Sequence, residues 1–415
     1  MPPPLVRRPP IFDNSAPRIS RASIQSHFWN FRNFSWCYAA VAMVFLPSAG
    51  SHPSLPPAGS IRQIAGERYA MAPKPQLRRV WFKGGLDTIA WKSLWGIAVS
   101  RNGRIAIASD VATGRKEGFV LQILSASSDT LISVARRGMG PGELSGDNIP
   151  FASGDTFHIV ELRRKALVRY SDAGKCLGET PARSMSEIVL AFHGDSMDVQ
   201  PLSIDPRLPA RGLPNRRRIG DTTGRALLQA SDSFLGRLVR ERAAQPGVIP
   251  PPAFGVSATR VVVGDGRAYR IGVYDNRGKF LLFIGRKLPP NFRSRTEVAT
   301  LRKSLEAILK DDRGTTDVPR KLRSRLDTLE RETVSYFGPP GLRFDVAGRL
   351  WVLGEVGDST FADAFAGSTF LGRQMLDCAR PGKRIAMEGK WLVLSCENVA
   401  HDGAPFRVQL YAIDN

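Results

Sequence analysis

Short runs of alternating apolar and polar residues recur along the chain, separated by turns that close on glycine. Two of them align without gaps, residues 96–107 (GIAVSRNGRIAI) and 341–352 (GLRFDVAGRLWV). Each reads as a strand, a turn ending in Gly103-Arg104 or Gly348-Arg349, and a second apolar strand. The glycine supplies the positive φ of a tight hairpin, and the alternation gives one face to a core. Looser copies lie at 261–268 and 385–394. A second pattern follows the hairpins, at 167–178 (LVRYSDAGKCLG) and 271–282 (IGVYDNRGKFLL), with partial copies at 121–132 and 408–414. It reads as a third strand, a turn and a fourth strand. Four antiparallel strands repeating about every 40 residues describe a propeller blade. Blades starting near residues 94, 147, 187, 254, 341 and 383 predict an all-β, six-bladed β-propeller of four-stranded antiparallel blades over 77–415. The segment 77–91 is spare strand material, expected to pair with the last blade and close the ring, removing an open edge.

Two stretches break the repeat. Ser294 and Glu297 form a capping box ahead of Val298, Leu301, Leu305 and Ile308. Leu322, Leu326 and Leu329 resume the helical spacing, with Pro319 suited to a first turn. A helical hairpin is therefore expected at 294–334, between blades 4 and 5, packed on the rim or serving as a docking arm. Residues 205–252 mix proline loops with a short helix expected at 227–239. The outer strands of blade 3 are not recognisable after Met197-Asp198-Val199.

Residues 1–35 are rich in Arg and Pro and precede an 11-residue apolar run, WCYAAVAMVFL, which ends in PSAGS. A basic region, a short apolar core and small residues describe a secretory signal peptide cleaved near Gly50. An uncleaved anchor and a buried cytoplasmic segment are the other readings. The run is shorter than the roughly 20 residues of a spanning helix. Residues 51–76 read as a linker.

The hairpins, the VYDxxGK turn and the run Arg136-Arg137-Gly138-Met139-Gly140-Pro141-Gly142-Glu143-Leu144 resemble bacterial six-bladed propellers related to NHL-repeat proteins. That resemblance implies the fold and often an exported location, and no single activity. In that group a glycine-rich GxGPGE stretch joins two blades. Gly138, Gly140, Pro141, Gly142 and Glu143 are thus expected to form a structural blade linker, with Glu143 tied to backbone amides.

Lys and Arg total 59 against 38 Asp and Glu, a net charge of +21. Coding bias towards Arg or a solvated face accounts for this as simply as an anionic partner does. Sequence-specific nucleic-acid binding is not favoured, because the tightest run, Arg216-Arg217-Arg218, sits in what reads as a proline-rich loop. Of the four cysteines, Cys37 lies in the leader. Cys378 and Cys396 are the candidate disulfide in an oxidising compartment, leaving Cys176 as a free, partly buried thiol.

Some NHL relatives are lyases or lactonases with a metal in the central channel, which requires convergent ligands and an open position. The candidates here are His52, His158, His193 and His401, and the carboxylates Asp110, Glu161, Asp265 and Glu355 at strand ends. Their ordinary roles are structural histidines and turn-solvating acids, so no catalytic, cofactor or metal residue is assigned. Gly264-Asp265-Gly266 and Gly138-Met139-Gly140 read as turns, not phosphate cradles, since no helix follows them. The favoured expectation is an exported, non-enzymatic, monomeric scaffold for a protein, peptide or glycan, with no cofactor and no transmembrane span in the mature chain. The alternatives are a channel-metal lyase or lactonase and an RNA-binding propeller.

Overall fold

A computed structural model describes residues 74–84, 91–111, 119–146, 148–161, 163–181, 187–193, 196–201, 214–218, 225–228, 233–244, 252–311, 318–378, 381–396 and 406–414. The leader, nearly all of the linker, Cys37, His52, His401 and the side chains of Asp110 and His193 lie outside them. The described residues form a ring of six four-stranded antiparallel sheets.

The first strand of the chain, β1 (Gln76–Lys83), belongs to the last blade. Blade 1 is β2 (Trp91–Val99), β3 (Ile105–Val111), β4 (Phe119–Leu124) and β5 (Leu131–Arg136). Blade 2 is β6 (Asn148–Ser153), β7 (Thr156–Glu161), β8 (Ala166–Ser171) and β9 (Cys176–Pro181). Blade 3 is β10 (Glu187–His193), β11 (Ser196–Pro201), β12 (Asn215–Arg218) and β13 (Arg225–Ala226), followed by helix α1 (Ser233–Ala244). Blade 4 is β14 (Ala253–Val256), β15 (Arg260–Asp265), β16 (Arg270–Asp275) and β17 (Phe280–Gly285). Helices α2 (Arg295–Asp311) and α3 (Val318–Thr328) then precede blade 5, which is β18 (Leu342–Phe344), β19 (Leu350–Val356), β20 (Ser359–Ala366) and β21 (Thr369–Leu376). Blade 6 is β22 (Pro381–Glu388), β23 (Trp391–Cys396) and β24 (Arg407–Asp414), completed by β1.

The ring follows from the sheet order. The first strand of each blade is innermost, and first strands of neighbouring blades touch, as in β2 with β6 and with β22. β1 runs antiparallel to β24, pairing Gln76 with Asp414 and Lys83 with Val408, so the two ends of the repeat share one sheet. Gln374 on β21 receives the Leu77 N–H at 2.7 Å and donates to the Leu77 carbonyl at 2.5 Å, which clamps β1 from the adjacent blade.

Each seam between blades holds its own apolar cluster, because alternating strands bury side chains on both sheet faces. Ile105 and Ile107 meet Val393 and Leu410 at the blade 6–1 seam, and Ala106 and Ile123 meet Phe157 and Tyr170 at the next. The seam between blades 3 and 4 differs. Blade 3 does have outer strands, β12 and β13, and they are short and Arg-rich. The Arg216-Arg217-Arg218 run is therefore a strand rather than a loop, held where Arg216 pairs with the buried Asp198 at 2.7 Å. Such strands supply little apolar surface, and α1 makes up the deficit by packing Phe234, Leu235 and Leu238 against Val261, Val263 and Tyr274 of blade 4. The helix starts at Ser233, not Leu227. Leu227 and Leu228 are buried in the same cluster before the helix begins.

The Ser294 hydroxyl accepts the Glu297 N–H at 3.1 Å, capping α2, while the Glu297 carboxylate turns to Arg293 instead of closing the box. Val298, Leu305 and Leu329 form a small apolar cluster within the insertion.

Candidate functional site

Residues 136–144 connect β5 to the second blade and are fastened along their length. The Leu144 N–H bonds to the Arg136 carbonyl and the Gly138 N–H to the Leu144 carbonyl, both at 3.0 Å. The Glu143 carboxylate accepts the Gly140 N–H at 2.8 Å. A Cβ on Gly138 would fall 2.0 Å from that carboxylate and displace it from the Gly140 N–H, and Gly142 has φ +72°, a conformation that favours glycine. From blade 2, Arg164 donates to the carbonyls of Gly140 (3.3 Å) and Glu143 (3.0 Å), and the Tyr170 hydroxyl donates to the Gly142 carbonyl at 3.1 Å.

Glu161 belongs to the same assembly. It is buried at the end of β7, pairs with Arg164 at 3.3 Å, and receives the Ser145 hydroxyl and the Arg163 N–H. Arg164 also donates to the Glu179 carboxylate on β9, and this contact raises the guanidinium pKa above its ordinary value, against the opposing effect of burial. Burial pushes the Tyr170 phenol up as well. The carboxylates are thus held by fixed donors, an arrangement that orders a loop. Outward the loop presents Arg136, Arg137, Met139 (70% exposed) and Pro141, the last two beside an open groove of about 440 Å³ lined by Met139, Gly140, Pro141, Arg164 and Glu179.

The remaining sequence candidates are dispersed. Asp265 ends β15 and accepts the Arg267 N–H at 3.1 Å, the behaviour of a turn acid. Glu355 is exposed on β19, and Asn291 donates to its backbone carbonyl. Gly264 lies within β15 rather than in a turn, and both it and Gly266 are packed against Phe337. His158 is buried on β7 opposite Arg169, and His193 is the last residue of β10 rather than part of a turn. Among the described residues, no three His, Cys, Asp or Glu side chains gather as a metal site.

Cys378, just beyond β21, and Cys396, at the end of β23, are joined by a disulfide linking blade 5 to blade 6. Cys176 is free, and it is exposed rather than partly buried. It opens β9, the outer strand of its blade among the described residues.

Arg343 is a feature the repeat analysis passed over. It lies on β18, the innermost strand of blade 5, with partial solvent contact. Desolvation lowers its pKa to about 10, and its guanidinium donates to the neighbouring Leu342 carbonyl at 3.5 Å. The signal was available, since Arg343 stands where the aligned hairpin has Ala98.

No family profile matches the chain, and no curated protein matches it in sequence. Solved structures are similar to it at low identity. A putative exported protein from Bacteroides fragilis shares 8% identity over 82% of this chain and 96% of its own, with a TM-score of 0.42. A member of the duf4221 family from Bacteroides vulgatus shares 9% over 82% and 99%, TM-score 0.44. The PQQ-bound aldose sugar dehydrogenase of Streptomyces coelicolor shares 13% over 83% and 100%, TM-score 0.41.

Proposed function

We propose that the protein is an exported, non-enzymatic binding propeller that holds a protein, peptide or glycan partner against the loop at 136–144. The observation that carries this reading is Met139, 70% exposed on a loop fixed by backbone, carboxylate and guanidinium contacts. A side chain presented on a rigid loop loses little entropy on binding, which favours it as an anchor. The charged groups beneath it are engaged with one another, a role in support rather than in chemistry. The disulfide between Cys378 and Cys396 favours an oxidising compartment.

Peptide libraries and glycan arrays applied to the full chain test the reading. A saturable ligand is expected whose affinity falls about tenfold or more in Met139→Glu and is unchanged in Ile308→Glu on α2. Ligands indifferent to Met139, or none from either library, would overturn it.

A further inference from the structure

Among the described residues, each blade ends in an outer strand without a strand partner on one side: β1, β5, β9, β13, β17 and β21. Natural sheets guard such edges with charged side chains, proline or bulges. Five of the six carry charge, namely Arg78 on β1, Arg136 on β5, Glu179 on β9, Arg225 on β13 and Arg373 on β21. β17 is the exception as to charge, since its sequence FLLFIG has no polar side chain at all, and its guard is a bulge confined to its first residues. Its register shifts between Val273 and Tyr274, where Val273 faces Leu282 and Tyr274 faces Phe280. The extra residue, Leu281, is 46% exposed, and Phe280 is 37% exposed.

Beside this edge lies an apolar pocket of about 70 Å³ between blades 4 and 5. It is lined by Leu281, Leu282 and Ile284 on one side and by Phe344 and Leu350 on the other, with Arg260 at its margin. That volume is about half of a cavity able to hold benzene, room for one branched aliphatic side chain. The flanking charge is positive. Arg277 and Lys279 are exposed in the turn leading into β17, and the carboxylate beside them, Asp275, is occupied by their own backbone N–H groups at 2.9 Å. Higher on the same blade, Arg270 lies 4.3 Å from the Phe283 ring centroid.

We propose that the outer edge of blade 4 takes up an extended acidic segment of a partner protein as a fifth strand. An aliphatic side chain of that segment fills the pocket between blades 4 and 5. Its carboxylates lie against Arg260, Arg277 and Lys279. Main-chain pairing supplies affinity, while the pocket and the cations supply selection. A second copy of this chain is disfavoured as occupant because it would bring the same cations to the same edge.

The test uses the full chain and a synthetic peptide of alternating Glu and Val, with its Lys-for-Glu counterpart as control. Saturable binding of the acidic peptide is expected, weakened about tenfold or more by Leu281→Glu and by the pair Arg277→Glu and Lys279→Glu. Hydrogen exchange on the unaltered protein provides a readout independent of variant folding, and the acidic peptide should slow amides within residues 281–285. Equal binding of both peptides, no binding of the acidic one, or protection elsewhere would overturn the proposal. So would self-association of the free chain that Leu281→Glu abolishes. This surface is separate from the loop at 136–144, so Met139→Glu should leave the peptide's affinity unchanged.

Discussion

His158 and Asp363 show how this ring treats a buried ionisable side chain. Asp363 has no exposed surface and is fully hydrogen-bonded, accepting from Arg373 at 2.7 and 2.8 Å, from Arg286 at 2.8 Å and from the Tyr269 hydroxyl. Burial first, and then the neighbouring carboxylate, raises the Tyr269 pKa, so its phenol remains a donor. His158 has the opposite arrangement. It sits between Phe151 on β6 and Arg169 on β8, and burial followed by the Arg169 charge lowers its pKa to about 4. In the unfolded chain its pKa is about 6.5. As pH falls below that value the unfolded state takes up the proton first, so stability declines until the folded ring also titrates near 4, and this contribution is flat below that. The loss is on the order of 3 kcal/mol. Urea unfolding between pH 7 and 4 should show this decline, and His158→Gln should remove most of it. An unchanged acid limb in the variant would assign the pH dependence to other groups.

At the scale of elements, legibility in the sequence tracked how far each segment is held by its own apolar pattern. The 96–107 and 341–352 hairpins bury alternating side chains within their seams, so their period was visible and their turns fell between β2 and β3 and between β18 and β19, although β2 starts at Trp91 and β3 runs on to Val111. Blade 3 was obscure because β12 is Asn-Arg-Arg-Arg, a strand held by pairing and by the Arg216–Asp198 contact. The apolar layer it lacks comes from a helix beyond it, which no local period could announce. Cys176 was misplaced for a related reason, since β9 has the strand period but little above its outer face. In the loop at 136–144 the glycine spacing was legible, whereas Arg164 was not, being 20 residues further along and joined to the loop only by folding. Glu143→Ala removes the acceptor for the Gly140 N–H. A charge-assisted hydrogen bond of this kind contributes about 1.5–3 kcal/mol. The expected loss of stability lies toward the lower end, with faster amide exchange concentrated at residues 138–144. Uniformly faster exchange through blades 1 and 2 would instead show that the loop holds those blades together.

For the molecule as a whole, two fasteners lie at one place in the ring. β1 supplies the outer strand of blade 6, so closure joins segments more than 300 residues apart. The disulfide ties the exit of blade 5 to β23 of the same blade 6. Leu77, Cys378, Cys396, Tyr411 and Ile413 share a single apolar cluster, so the two fasteners rest on common packing. A disulfide closing a loop of this length stabilises by about 3 kcal/mol through the unfolded state. Leu77→Ala deletes a buried side chain, at a cost of about 2–5 kcal/mol, and loosens the strand that Gln374 clamps. Contacting sites couple, whereas distant ones add to within about 0.5 kcal/mol. Denaturant unfolding of the native and Leu77→Ala proteins, each with and without reductant, gives the coupling directly. The combined loss should differ from the sum of the separate losses by about 1 kcal/mol or more, as expected of one cooperative closure unit. Simple additivity would mean that strand insertion and the disulfide secure the ring independently. Blade 6 would then be able to open at its outer strand while its seam with blade 5 stays intact.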